Sequence, residues 1–219
     1  MSATEFEISE TIDWLAHRSL PHNASNPELL ISGMGQLEAA YGLGKKIHEQ
    51  RPNLVIQAGI GGAVWPQDMG KTFAIRSEVL ADLGAQEKEG FRSLFDLGLD
   101  KADRFPFRNA KLINPYLHLL EWSGLPFREG ITVNEIKSNE YEGSQRNQAP
   151  FVESMEGAAL HYVCLMEKIP FLQLRSVSNL VGDRDKSRWK IKEARKSLHQ
   201  SLVLLIQKIE KADETLFRI

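Results

Sequence analysis

Residues Phe151-Val152-Glu153-Ser154-Met155-Glu156-Gly157-Ala158-Ala159 put a carboxylate at the first turn of a helix whose next three residues carry almost no side chain. Something must therefore approach that backbone closely. The helical pattern runs from Met155 to Lys168 and ends before Pro170, and Phe171-Leu172-Gln173-Leu174 follows as a buried strand. The same alternation recurs upstream. Leu29-Leu30-Ile31 and Leu54-Val55-Ile56 read as buried strands, and Leu37, Tyr41, Gly44 and Ile47 fall on one face of a helix that stops before Pro52. Strands followed by helices predict an α/β fold whose sheet is covered on both faces.

The clearest helix is the C-terminal one, with Ile191, Ala194, Leu198, Leu202, Leu205 and Ile209 at three- and four-residue steps. Residues 72–134 are less regular, punctuated by Pro106, Pro115 and Pro126, with an extended strand over Ala74–Leu80. No internal repeat, low-complexity tract or linker interrupts the chain, and 219 residues suit one domain.

Lys and Arg number 27 against 29 Asp and Glu, a net charge of -2, which gives no basic surface for nucleic acid. No apolar run reaches the ~18 residues of a membrane span, and the start MSATEFEISE is acidic where a signal peptide is basic, then apolar. A cytoplasmic protein that engages neither nucleic acid nor membrane is expected, so the glycosylation-like Asn23-Ala24-Ser25 carries little weight. The single cysteine, Cys164, reads as a buried hydrophobe rather than a reactive thiol. The six histidines show no metal-ligand spacing, and no metal is expected. Neither a G-x-S-x-G motif nor a P-loop is present.

Several residues remain that could carry chemistry. In Gln57-Ala58-Gly59-Ile60-Gly61-Gly62-Ala63, which follows a strand, Gly59, Gly61 and Gly62 could turn backbone N–H groups towards a ligand or simply form a strand-exit turn. The G-x-G-G spacing is not the dinucleotide fingerprint. The pair Met155-Glu156 suits a ribose: a carboxylate accepts from both hydroxyls of a vicinal diol while Met packs on an apolar ring face. Alternatively, Glu156 complements a helix dipole. Arg175 leaves the C-terminal end of its strand, where ligand crevices form, and could pair with Glu7 or Glu156.

Three segments together, Ser2–Glu7, Phe151–Ala159 and Arg175-Ser176-Val177-Ser178-Asn179, resemble the nucleoside phosphorylase/nucleosidase superfamily, and within it the futalosine hydrolases. Val181-Gly182-Asp183-Arg184-Asp185, Trp189, Ala81-Asp82-Leu83-Gly84 and Thr132-Val133-Asn134 add to that likeness. The resemblance implies a single domain over residues 1–219, a three-layer α/β/α fold with a central mixed sheet, no cofactor, a homodimer, and a purine nucleoside substrate. Futalosine would be cleaved to hypoxanthine and dehypoxanthine futalosine in menaquinone biosynthesis.

By the same resemblance, Glu7 activates water, Glu156 holds the ribose 2′- and 3′-hydroxyls beside the glycine loop, and Asn179 meets the departing purine. Phosphorylases of the superfamily carry Gly and Arg where this chain has the acids of Ser2–Glu7, which implies water as acceptor. Asn179 stands where methylthioadenosine and S-adenosylhomocysteine nucleosidases carry Asp, and its amide can donate to a 6-oxopurine. Ile60 departs from the small polar residue usual in the glycine loop. Two alternatives stay open: an adenine-specific nucleosidase acting on methylthioadenosine, S-adenosylhomocysteine or aminodeoxyfutalosine, and a non-catalytic nucleoside-binding protein. The family's first strand is longer than Met1–Thr4 allow, so here it is either unusually short or begins upstream.

Overall fold

In the computed structural model, which describes residues 1–20, 27–138, 149–213 and 216, two long parallel strands lie side by side at the centre. These are β1 (Val55–Ala63) and β8 (Phe171–Leu180), registered from Val55 opposite Phe171 to Gly61 opposite Val177. A bulge at Ser178 then brings Gly62 opposite Asn179. Both strands run well past the apolar tetrapeptides that announce them. Gly59, Gly61 and Gly62 therefore lie inside β1 rather than in a loop after it, and Arg175 sits mid-strand rather than at a strand end. Buried strands can continue through Gln57, Gln173 and Arg175 because those side chains find buried partners, as the site below shows.

The remaining strands are β2 (Thr72–Leu80), β5 (Leu112–Ile113), β6 (Phe127–Thr132) and β7 (Phe151–Ser154), in the order β5-β2-β6-β7-β1-β8. Parallel and antiparallel pairs mix: β7 runs antiparallel to β1, whereas β6 is parallel to both β2 and β7. The start of β2 also pairs antiparallel with β8, Thr72 opposite Ser176, so the sheet curls until β2 touches strands from both ends of the order. A separate hairpin, β3 (Gly84–Glu87) and β4 (Gly90–Ser93), follows β2.

Helices lie on both sides of this mixed sheet, as expected. On one side α1 (Glu5–His17) packs on α5 (Ile191–Ile209), which covers β8 and β1; on the other α2 (Gln36–Glu49) packs on α4 (Gly157–Glu167), which covers β2 and β6. A short α3 (Leu117–Ser123) adds Leu119 and Leu120 to the core. The middle of the apolar period of α5 is buried, at Ala194, Leu198, Leu202 and Leu205, while Ile191 and Ile209 at its ends are half-buried.

Two sequence expectations fail. Leu29-Leu30-Ile31 is no buried strand: it contributes one bridge, Ser2 with Ile31, and Leu29 and Ile31 are exposed. The first strand correspondingly shrinks to Ser2, whose N–H donates to the Leu30 carbonyl, while the Met1 carbonyl accepts from Ala58. In α2 the core side is Ala39, Leu43 and Ile47, whereas Leu37 and Tyr41 are 87% and 75% exposed and continue outward from Met34. Asn23-Ala24-Ser25 lies outside the described residues. Among those described, no helix is long and apolar enough to cross a membrane.

Candidate active site

Glu7 is the third residue of α1 and closes a capping box with the N-cap Thr4. Its Oε2 accepts from the Thr4 N–H (3.1 Å), from Thr4 Oγ1 (3.2 Å) and from Ser2 Oγ (3.2 Å). Oε1 accepts from the Ile60 N–H at 2.9 Å, which ties the start of the helix to β1. Four donors on a buried carboxylate leave it one orientation. The predicted backbone donor of the glycine stretch thus exists, though it is Ile60 and it serves Glu7.

Gly59 is the meeting point. A Cβ there would stand 2.8 Å from Glu7 Oε1 and closer still to Arg175 Nη1, so the missing side chain is the room those two groups occupy. Arg175 is fully buried; its Nη2 donates to Gln57 Oε1 at 3.0 Å and to Glu156 Oε2 at 3.3 Å, making Glu156 its ion-pair partner. Glu156 is the N-cap of α4, one position before the first turn predicted for it, and it does not cap the helix with its side chain. Its Oε1 accepts instead from the Gly35 N–H at 3.0 Å, and its backbone carbonyl accepts from Gln57 Nε2 at 3.4 Å. Met155 beside it is half-buried.

Asn179 lies four residues further along β8, about 13 Å at strand rise. Its Oδ1 accepts from Ser178 Oγ at 2.8 Å, and its Nδ2 donates to the Leu180 carbonyl at 2.9 Å. A Cβ on Gly62 would lie 3.2 Å from that Nδ2, so Gly62 is to Asn179 what Gly59 is to Arg175. Gly61 has a packing reason: its Cβ would press at 2.7 Å on the Glu153 carbonyl. Glu7, Arg175 and Glu156 thus converge around Gly59, and Asn179 faces the next stretch of the same two strands.

Sequence reasoning missed the layer beneath. Glu78 on β2 is 0% exposed; its Oε1 accepts from Gln173 Nε2 (2.7 Å) and its Oε2 from Thr132 Oγ1 (2.9 Å). Burial pushes its pKa up to about 7, and the nearby Glu156 pushes it the same way, against the pull of Gln173, Thr132 and Arg175. Strand alternation could not reveal it, because a register shift at Arg76 leaves Arg76 exposed but buries both Ser77 and Glu78. His161 is buried, with Nδ1 3.0 Å from the Leu112 carbonyl, and burial brings its pKa down to about 4. Burial also pushes the Cys164 thiol well above its ordinary value, as an inert core residue requires. Among the described residues no three His, Cys, Asp or Glu side chains group as a metal site.

No protein-family model matches the chain. It is 31% identical over 183 residues to the futalosine hydrolase of Thermus thermophilus, a match covering 81% of this chain and 80% of that one. It is 30% identical over 189 residues to the futalosine hydrolase of Streptomyces coelicolor, covering 84% and 80%. The solved structure of futalosine hydrolase from Helicobacter pylori superposes with a TM-score of 0.67 over 94% of this chain and 95% of that one; at 14% identity the likeness is one of fold.

Proposed function

The chain belongs to the futalosine hydrolase family, and we propose that it hydrolyses the N-glycosidic bond of futalosine, releasing hypoxanthine and dehypoxanthine futalosine in menaquinone biosynthesis. The observation that carries this reading is the meeting of Glu7 and Arg175 over Gly59, with Glu156 on the same guanidinium. Residues so distant in sequence gain nothing in packing from sharing a buried charged cluster.

In this mechanism Glu7 is the general base. Its Oε2 already has three donors, whereas Oε1 has one, so Oε1 takes the proton of the attacking water. Glu156 accepts from the ribose hydroxyls, with Arg175 and the Gly35 N–H fixing its direction. The transition state is oxocarbenium-like, and two carboxylates beside the sugar suit its positive charge. Asn179, further along β8, receives the 6-oxopurine and steadies it as it leaves; its second Nδ2 hydrogen is the donor offered to O6. No cofactor takes part.

The enzyme is read as one domain over residues 1–219, cytoplasmic and homodimeric. Met34, Leu37 and Tyr41 form an exposed apolar stripe next to Gly35, the residue that holds Glu156, and a second copy seated there would cover the site's rim. The deciding experiment offers futalosine, aminodeoxyfutalosine, methylthioadenosine and S-adenosylhomocysteine, with and without inorganic phosphate, and follows purine release by chromatography. Futalosine should be cleaved fastest and phosphate should change nothing. A sugar 1-phosphate product, or equal rates on futalosine and aminodeoxyfutalosine, would refute the reading.

A further inference from the structure

The proposed mechanism leaves one buried carboxyl of the cluster without a task. Glu78 lies directly beneath the first turn of α4: a Cβ on Gly157, the residue after Glu156, would collide with Glu78 Oε1, and so would one on Gly130. Thr132 Oγ1, which donates to Glu78, also accepts the Ala158 N–H at 2.8 Å, so Glu78 is coupled to the helix whose N-cap is Glu156.

Between Glu78 and His161, two buried side-chain atoms have no hydrogen-bond partner among the described residues, Gln173 Oε1 and His161 Nε2. The Leu112 carbonyl can only accept, so His161 Nδ1 carries the ring hydrogen and Nε2 of the neutral ring is a lone pair. The Gln173 amide lies between Glu78 and His161 and bears on the titration of both. With Nε2 turned to Glu78, the amide oxygen and the ring lone pair are both left without a donor. The two ends of an amide have nearly the same shape, so the hydrogen-bond partners decide which way it is turned. Turned over, Gln173 donates to His161 Nε2, and its oxygen accepts from Glu78 provided that Glu78 holds a proton.

We propose that Glu78 is a positioning residue that works as the neutral acid, donating its proton to Gln173 Oε1 while Gln173 donates to His161 Nε2, so that no anion beyond Glu7 and Glu156 disturbs the Glu156–Arg175 pair. Every buried polar atom of the string from the Leu112 carbonyl to the Ala158 N–H then has a partner. Around Glu78 the charged or titratable groups are Arg175 on β8, Glu156 at the cap of α4 and His161 within α4. On β6, Arg128 and Glu129 are engaged by Asp68 and Lys111, and β5 contributes none. With the pKa of Glu78 pushed up to about 7 and that of His161 down to about 4, the acid and the neutral ring coexist just below neutrality.

The inference rests on Glu156 as the ribose anchor, and its test separates the two. With kcat/KM followed from pH 5.5 to 9.5, the wild type should fall about 50-fold between pH 7 and pH 9, approaching tenfold per unit as Glu78 ionises. Glu78→Gln should keep the pH 6 activity within about threefold and lose that alkaline limb. In protein labelled with 13C at the glutamate δ-carbons, one resonance should titrate near pH 7 and be missing from Glu78→Gln. An unchanged limb in a folded Glu78→Gln, a folded variant inactive at pH 6, or the absence of any δ-carbon titrating between pH 6 and 9 overturns the proposal. If Glu78→Gln does not fold, the wild-type resonance decides alone. Because that resonance needs no substrate, a wild type that cleaves no nucleoside defeats the functional reading without touching this one.

Discussion

Replacing Gly59 by Ala adds one methyl group at the point where Glu7 and Arg175 meet. The backbone φ of Gly59 lies outside the left-handed region, so the substitution tests the collision and not the conformation. The new Cβ would stand 2.8 Å from Glu7 Oε1 and nearer to Arg175 Nη1, where 3.4 Å is ordinary contact. Neither neighbour can yield freely. Glu7 is held by the N–H groups of Ile60 and Thr4 and by two hydroxyls, while Arg175 Nη2 is held by Gln57 and Glu156. The cluster must open by something on the order of 1 Å, a displacement that costs roughly 10²-fold in rate when it falls on reacting groups. Overpacking should lower stability by about 1–3 kcal/mol. Purine release under kcat/KM conditions, with thermal unfolding on the same preparations, measures both. A Gly59→Ala enzyme within threefold of wild type would show that Glu7 and Arg175 do not act from the positions described.

Glu7→Gln keeps the shape but removes the base, so kcat should fall roughly 10²- to 10⁴-fold with nucleoside binding by calorimetry largely kept; Glu156→Gln should raise KM and lower kcat together. Asn179→Asp should narrow the preference for futalosine over aminodeoxyfutalosine, which in the wild type can reach about 10⁴-fold in kcat/KM; an unaltered ratio would remove Asn179 from base recognition. Glu78 and His161 should pull stability in opposite directions with pH. The raised pKa of Glu78 gives stability that is full below 4.5 and lost as pH rises to about 7, whereas the lowered pKa of His161 gives stability present above 6.5 and lost as pH falls to about 4. Each contributes on the order of a few kcal/mol, so Tm should rise with pH more steeply in Glu78→Gln than in the wild type between pH 4 and 6.5, and fall in His161→Phe. Leu37→Glu with Tyr41→Glu should convert a dimer to monomer by light scattering and lower activity; an unchanged mass would place the interface elsewhere.

The strands β1 and β8 and the helices α4 and α5 were readable from the chain because each leaves a local mark, whereas Glu7, Glu156, Arg175 and Asn179 stood out through a resemblance carried by three separate segments. Apolar tetrapeptides, helical period and acids in unusual company are short-range signals. What escaped reading is non-local. Gly59 looks like a turn residue until the side chains from α1 and β8 that occupy its empty place are known. Glu78 hides because the bulge at Arg76 breaks the alternation that would have flagged a buried acid. An apolar stripe such as Met34, Leu37 and Tyr41 declares that a face is greasy, but not that it points away from its own core. Leu29–Ile31 has the composition of a strand and meets only Ser2.

The double duty of Glu7 ties the proposed chemistry to the fraying of a helix end. The carboxylate proposed as the base is oriented by the opening turn of α1, through Thr4 and Ser2, and is hydrogen-bonded to the sheet through the Ile60 amide. Helix ends open on their own, far below the temperature at which a core melts. Each opening would swing the base out of place and at the same moment strip the helix of its cap, so one local fluctuation would switch off chemistry and loosen the fold's edge together. Heat would then silence such an enzyme before unfolding it.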